Sequence, residues 1–171
     1  MVAAALAVRP LESAVWAALH DVHDPEIPTI SVVDLGIVRS VETGEGNVCV
    51  ELLPTFVGCP AIDVMRAAVE ERLREFAADV RVEISFAEPW TTERISEDGR
   101  AALRAAGFAP PAARHPDESR DLRVLPVLPV AECPYCGSRN TTLENAFGPT
   151  LCRAIYHCAD CRQPFEQFKE V

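Results

Sequence analysis

Leu11, Val15, Leu19 and Val22 recur at helical spacing, which predicts a first helix with Pro10 at its start. Over residues 31–41 the apolar period shortens. Val33, Leu35, Ile37 and Val41 then share one face of an expected strand, and Gly36 marks a bulge or a close backbone approach. Gly44 and Gly46 flank a turn. Residues 47–53 alternate again, with Val48, Val50 and Leu52 inward and Cys49 and Glu51 outward, so the two strands should form a hairpin. Residues 60–76 return to the helical period, with Ile62, Met65, Val69, Leu73 and Phe76 in one stripe. Residues 80–86 alternate once more, setting Val80, Val82, Ile84 and Phe86 against Arg81, Glu83 and Ser85. The order α-β-β-α-β predicts a small α+β sandwich in which helices cover one sheet. Ser96 should cap a further helix that Gly107 ends.

The pattern also divides the chain. Residues 1–107 hold the α+β domain with its helical extension. Residues 108–130 are a Pro-rich linker (Pro110, Pro111, Pro116, Pro126, Pro129) with a charged middle, and residues 131–171 form a Cys-rich tail. The Ala-rich start has no basic residues before it, which fits a ragged terminus rather than a signal peptide. No apolar run approaches the roughly 20 residues that a membrane span needs.

Composition narrows the function. With 49% hydrophobic and 25% charged residues, the 171-residue chain has the balance of a soluble globular protein. Its net charge of −10 argues against nucleic acid and against an anionic membrane as partners. The seven cysteines are not expected to form disulfides in a chain read as cytoplasmic. Two CxxC pairs point to metal or redox chemistry instead.

Cys133-Pro-Tyr-Cys136-Gly137 is a metal knuckle: two thiolates three positions apart on a tight turn can face one ion. Cys158-Ala-Asp-Cys161 repeats the spacing, and a strand-like stretch precedes it. Together the pairs predict a tetrathiolate site of the zinc-ribbon kind. Zinc is the default for such a closed site, while iron or an iron–sulfur cluster fits the same ligands. Cys152 lies beside the second knuckle. It is either a small core thiol or a substitute ligand. The tail has no basic face for nucleic acid, so a protein is its expected partner.

A second candidate is Thr55-Phe-Val-Gly-Cys59-Pro60. Pro60 suits the first helical position, which puts Cys59 at the N-cap, where amide groups and the helix dipole favour a thiolate. The bland alternative is a buried structural cysteine. Thr55 could bring its hydroxyl to the same thiol if the loop curls. His20, Asp21, His23, Asp24 and Glu26 could form a carboxylate–imidazole site, but a polar helix end followed by a turn is the commoner outcome. Asp34, set among apolar residues, requires hydrogen-bond partners if buried.

These residues carry a resemblance. Asp24-Pro-Glu26-Ile-Pro28, then Val33-Asp34-Leu35-Gly36, then Thr55 followed by Gly58-Cys59-Pro60, resemble the metal–sulfur cluster assembly factor family, whose domain has the same α-β-β-α-β order. Pro89-Trp90-Thr91-Thr92, Ser96-Glu97-Asp98-Gly99 and the tail resemble one branch of it, the small subunits encoded with the bacterial phenylacetyl-CoA epoxidase. The resemblance implies an accessory protein rather than an enzyme. It would assist iron–sulfur assembly or maturation in the epoxidase's oxygenase and reductase components. Cys59 would be the reactive thiol, supported by Asp24, Glu26 and Thr55. Cys133, Cys136, Cys158 and Cys161 would hold structural zinc, and Cys152 falls on a family-like position. A transient cluster or iron would be cargo at Cys59. One cysteine cannot hold a cluster alone, so a homodimer or a client complex is expected. The rival reading is a stoichiometric subunit of the oxygenase that docks through the ribbon. Arg162 stands where a glycine often follows such a knuckle.

Overall fold

The structure is a computed structural model. It describes residues 2–111 and 130–169, and for residues 2–10 the backbone course only. Most of the expected linker therefore lies outside the described residues. The chain forms two compact units, Met1–Gly99 and Arg100–Val171.

The first unit contains α1 (Val2–Leu19), β1 (Val38–Thr43), β2 (Asn47–Leu52), α2 (Ile62–Leu73) and β3 (Asp79–Ile84), in the expected order. Helix α1 runs back past Pro10, which was expected at its start. Strands β1 and β2 pair antiparallel across the Gly44–Gly46 turn, and β2 and β3 pair parallel around α2. The stripe on α2 faces inward: Ile62, Met65, Val69 and Leu73 are buried, with Val48, Val50 and Leu52 of β2 and Val15 and Leu19 of α1 also in the core. Each such aliphatic side chain contributes about 2 kcal/mol before entropy is counted.

Three expectations need correction. Residues 31–36 are a series of turns rather than a strand. Leu35 N–H donates to Ser31 O at 2.9 Å and Gly36 N–H to Val33 O at 2.9 Å. Carbonyls that a neighbouring strand would have paired are taken by side chains: Trp90 Nε1 donates to Leu35 O at 3.0 Å and Arg94 Nε to Gly36 O at 2.9 Å. Phe86 lies beyond the end of β3 and is exposed rather than inward. Cys59 is not the N-cap of α2, which is Ala61.

The short turn Thr92–Arg94 leads to α3 (Glu97–Ala105). Ser96 accepts Gly99 N–H at 2.9 Å, the expected cap, and Gly107 follows the helix with φ +86°. The second unit has the sheet order β4-β7-β6-β5, with β4 (Phe108–Ala109), β5 (Thr141–Asn145), β6 (Arg153–Cys158) and β7 (Pro164–Phe168). Phe108 and Ala109, at the head of the Pro-rich segment, pair parallel with Glu166 and Gln167. Ala109, Ala131, Ala154, Tyr156 and Phe165 form its small core beside Cys133 and Cys158. The Tyr156 and Phe165 rings stack at 5.7 Å.

Candidate metal centre and thiol loop

The two knuckles of the second unit are built alike. In the first, Gly137 N–H donates to Cys133 O and Cys133 N–H to Ser138 O, both at 2.9 Å. In the second, Arg162 N–H donates to Cys158 O at 2.9 Å and Cys158 N–H to Gln163 O at 3.0 Å. Gly137 has φ +72° and Arg162 φ +61°. The geometry asks for a left-handed residue after each second cysteine. Glycine takes it freely, whereas arginine does so at roughly 1–2 kcal/mol.

These turns bring the sulfurs of Cys133, Cys136, Cys158 and Cys161 within 4.8 Å of one another. Cys133 Sγ lies 3.6 Å from Cys161 Sγ, and Cys136 Sγ lies 3.6 Å from Cys158 Sγ. A tetrahedron with zinc–sulfur arms of about 2.3 Å has edges of about 3.8 Å, so the donor set fits one tetrahedral metal. The structure brings together all four cysteines that the sequence marks as candidate ligands. They are the only cluster of three or more metal-binding side chains among the described residues.

The thiols are tuned apart. The Cys158 thiol is lowered to about 7, first by the backbone N–H of Cys161. The Ser138 N–H is the largest single influence on Cys136 and lowers it, but desolvation and the three neighbouring thiols together push it up to about 12. Asp160, between the ligands of the second knuckle, binds Ser138 Oγ, and Asn140 Nδ2 donates to it at 2.8 Å, tying one knuckle to the other. Sequence spacing carried no signal for this brace. A short acid on a CxxC turn facing a Ser-x-Asn could have raised the question.

Cys152 is not a substitute ligand. It is buried at the start of β6, with its sulfur 3.1 Å from Thr150 Oγ1, while Cys158 is at the strand's other end. Six strand residues span about 20 Å, which no rotamer bridges.

The second candidate group lies on two loops of the first unit. In one, Asp24 is buried and its Oδ1 accepts N–H bonds from Glu26 at 2.7 Å and Ile27 at 2.9 Å. That turn leaves Glu26 exposed. It also agrees with the plain reading of the segment with His20 and His23 as a polar helix end: His23 Nδ1 contacts Asp21 O at 3.0 Å, and Arg72 binds the Asp21 carboxylate at 2.9 Å.

The other loop joins β2 to α2. Thr55 and Phe56 are buried, and Cys59 N–H donates to Phe56 O at 3.2 Å. The loop therefore curls. Gly58, φ +87°, permits the reversal, and Cys59 emerges half-buried. Its carbonyl accepts Ile62 N–H at 3.4 Å, so Cys59 heads a single tight turn that runs into the helix.

Asp34 finds its partners in side chains. Ser31 Oγ donates to it at 2.6 Å and Ser96 Oγ at 2.7 Å, and His20 Nδ1 lies 3.4 Å away. Burial raises the carboxyl's pKa, but the two hydroxyls and His20 together hold it below its ordinary value.

Both parts of the chain have counterparts among known proteins. The description "iron–sulfur cluster assembly protein" matches residues 12–86, and "PaaD zinc beta ribbon domain" matches residues 123–169. The chain is 40% identical over 157 residues to an Escherichia coli K12 protein provisionally described as a 1,2-phenylacetyl-CoA epoxidase subunit, covering 91% of this chain and 90% of that one. It is 34% identical over 83 residues to the Fe-S protein maturation auxiliary factor SufT of Staphylococcus aureus, 47% of this chain and 93% of the relative. The crystal structure of a domain of unknown function from Bacillus anthracis superposes with a TM-score of 0.55 at 28% identity, over 58% of this chain and 96% of that chain. The chain belongs to the iron–sulfur cluster assembly protein family, in the branch that carries a PaaD zinc β-ribbon. No helix among the described residues is long and apolar enough to cross a membrane.

Proposed function

We propose that this chain is a cytoplasmic accessory protein of 1,2-phenylacetyl-CoA epoxidase that assists iron–sulfur cluster assembly or maturation in its oxygenase and reductase components. The observation that carries the reading is a half-buried cysteine, Cys59, on the β2–α2 loop of an assembly-family domain. The chain holding it is 40% identical along 91% of its length to an epoxidase subunit relative. The chemistry is compatible. Cluster or iron cargo needs an accessible, exchangeable thiolate, which Cys59 Sγ supplies once deprotonated. Asp24 orders the turn that presents Glu26, and buried Thr55 anchors the root of the thiol loop. One thiolate cannot hold a cluster, so the remaining ligands come from a second copy, as a homodimer, or from the client.

In this reading the ribbon is structural. Cys133, Cys136, Cys158 and Cys161 would hold zinc with no position left open, and the ion would supply a cross-link rather than reactivity. The protein is then a maturation factor and not a catalyst.

The test is a Cys59→Ala variant expressed with the epoxidase components in cells lacking the native chain. Epoxidase activity should collapse while the variant stays folded with its ribbon metal intact. Full activity would remove Cys59 from the mechanism. Metal and sulfide analysis of protein purified without oxygen should find zinc in the ribbon, with labile sulfide only when cargo is bound. A second reading, a stoichiometric component docked through the ribbon, is favoured by the relative's description as a subunit. Gel filtration of matured components separates the two, because only a stoichiometric component would be required after maturation.

A further inference from the structure

We infer that the end of the first unit around Cys59 is a docking surface for a protein that presents an apolar centre within a basic rim. This deepens the reading above and rests on it. Strands β2 and β3 are parallel, with Leu52 opposite Ile84, so both emerge at the same edge of the sheet. From that edge β2 continues into the Cys59 loop, and α2 starts there. Ser85 N–H donates to Leu52 O at 2.8 Å, which keeps the chain beyond β3 beside the root of that loop, and Phe86 follows immediately.

The exposed large apolar side chains described in this unit are Val57 (83% exposed), Val64 (55%) and Phe86 (64%). All three belong to this end: Val57 two residues before the thiol, Val64 in the first turn of α2, Phe86 past β3. Single exposed apolar residues are ordinary, but three of them gathered at the end of the unit that bears a half-buried cysteine are what a contact surface looks like.

Charge selects the occupant. Residues 1–99 contain eighteen acidic and seven basic residues, a net of −11, whereas residues 100–171 contain eight acidic and nine basic. The whole negative charge of the protein is carried by the unit that bears Cys59. Two copies meeting at this end would oppose two such charges. A partner with Lys and Arg around an apolar patch would instead be steered to it. The occupant is therefore a basic-rimmed client rather than a second copy, and it would supply the cluster ligands that a lone thiol lacks.

The experiment uses the full chain and the purified, metal-free reductase and oxygenase components of the epoxidase as probes. A double variant, Val57→Ser with Phe86→Ser, alters only exposed positions, and its fold is checked by circular dichroism and ribbon metal content. The wild type should bind one component, slow Cys59 alkylation in the complex, and weaken several-fold between low and physiological salt. The double variant should bind at least about tenfold more weakly. Equal affinity of variant and wild type overturns the surface. Salt-independent binding, or binding to neither component, overturns the occupant. A concentration-dependent dimer of the chain alone that the double substitution abolishes assigns the surface to a second copy and also overturns it. Cys59→Ala separates the two levels: it should keep salt-dependent binding to the component while failing to mature it. If it also matured the client, the maturation reading would fall while the docking surface stood.

Discussion

Arg94 Nε donates to Gly36 O at 2.9 Å, and the same approach sets Arg94's own carbonyl 2.3 Å from where a Cβ on Gly36 would stand. A side chain from the extension has taken the place of a neighbouring strand, and only glycine leaves it room. Gly36 also has φ +71°. Gly36→Ala should destabilise the first unit by about 3 kcal/mol or more, since neither backbone can yield cheaply. Arg94→Ala should cost about 1–2 kcal/mol by leaving carbonyls unpaired. Urea unfolding followed by Trp fluorescence measures both. A Gly36→Ala protein as stable as the wild type would show that the approach is not enforced.

Asp34 makes stability depend on pH in a definite direction. Its carboxyl is held below the ordinary value, so the folded protein binds this proton less readily than the unfolded chain. The stabilisation is present above the unfolded value of about 3.9 and is lost as pH falls through the folded value. Asp34→Asn should cost roughly 1–3 kcal/mol at pH 7. Its deficit against the wild type should shrink as pH drops below about 4. Urea midpoints of both proteins from pH 3 to pH 7 decide the matter, and a constant gap across that range would contradict it.

Metal removal should act on one unit. A chelator that strips the four-cysteine site should abolish the cooperative melting of the ribbon while the first unit keeps its own transition. Cys133→Ser or Cys158→Ser should weaken metal binding by more than about 100-fold, beyond what loss of an outer hydrogen bond costs. Cys152→Ser should leave metal content unchanged. Because binding displaces thiol protons, with Cys136 pushed up to about 12, apparent affinity should rise with pH. Metal analysis after dialysis, repeated at pH 6.5 and 8, reads all of these.

The knuckles offer a paired test. Gly137→Ala puts a side chain on a left-handed residue and should destabilise the metal-bound ribbon by about 1 kcal/mol. Arg162→Gly relieves the same conformation, partly offset by the freer unfolded chain, and should be neutral or stabilising by up to about 1 kcal/mol. Thermal melts of the metal-loaded proteins compare them. A large loss in Arg162→Gly would mean that the arginine side chain holds the turn.

Elements whose partners are close in sequence, or whose period is regular, were legible from the chain. The stripe from Ile62 to Leu73, the alternation around Val48–Leu52 and the Ser96 cap are such cases, and the two knuckles announce themselves by spacing. Residues 31–36 carry the alternation of a strand without being one, because alternation alone reports that side chains are buried, not that carbonyls are paired by a strand. Their partners, Trp90 and Arg94, come more than fifty residues later. Phe86 continued the alternation of β3 in sequence but lies beyond the pairing that gave the alternation meaning. The start of α2 slipped because Pro60 fits a tight turn as well as the first turn of a helix. The Asp160 brace was invisible for the opposite reason, since nothing periodic connects Ser138, Asn140 and Asp160.

Strand β4 pairs with β7, and the Phe108 ring lies 4.9 Å beneath the Arg153 guanidinium. The chain thus joins the ribbon's sheet at the head of the Pro-rich segment and returns to the same core at Ala131 after it. Chain from either side of the Pro-rich stretch contributes to one core, through Ala109 and Ala131. A protease cut within that stretch would sever the chain, yet the fragments would still migrate together until the ribbon was unfolded.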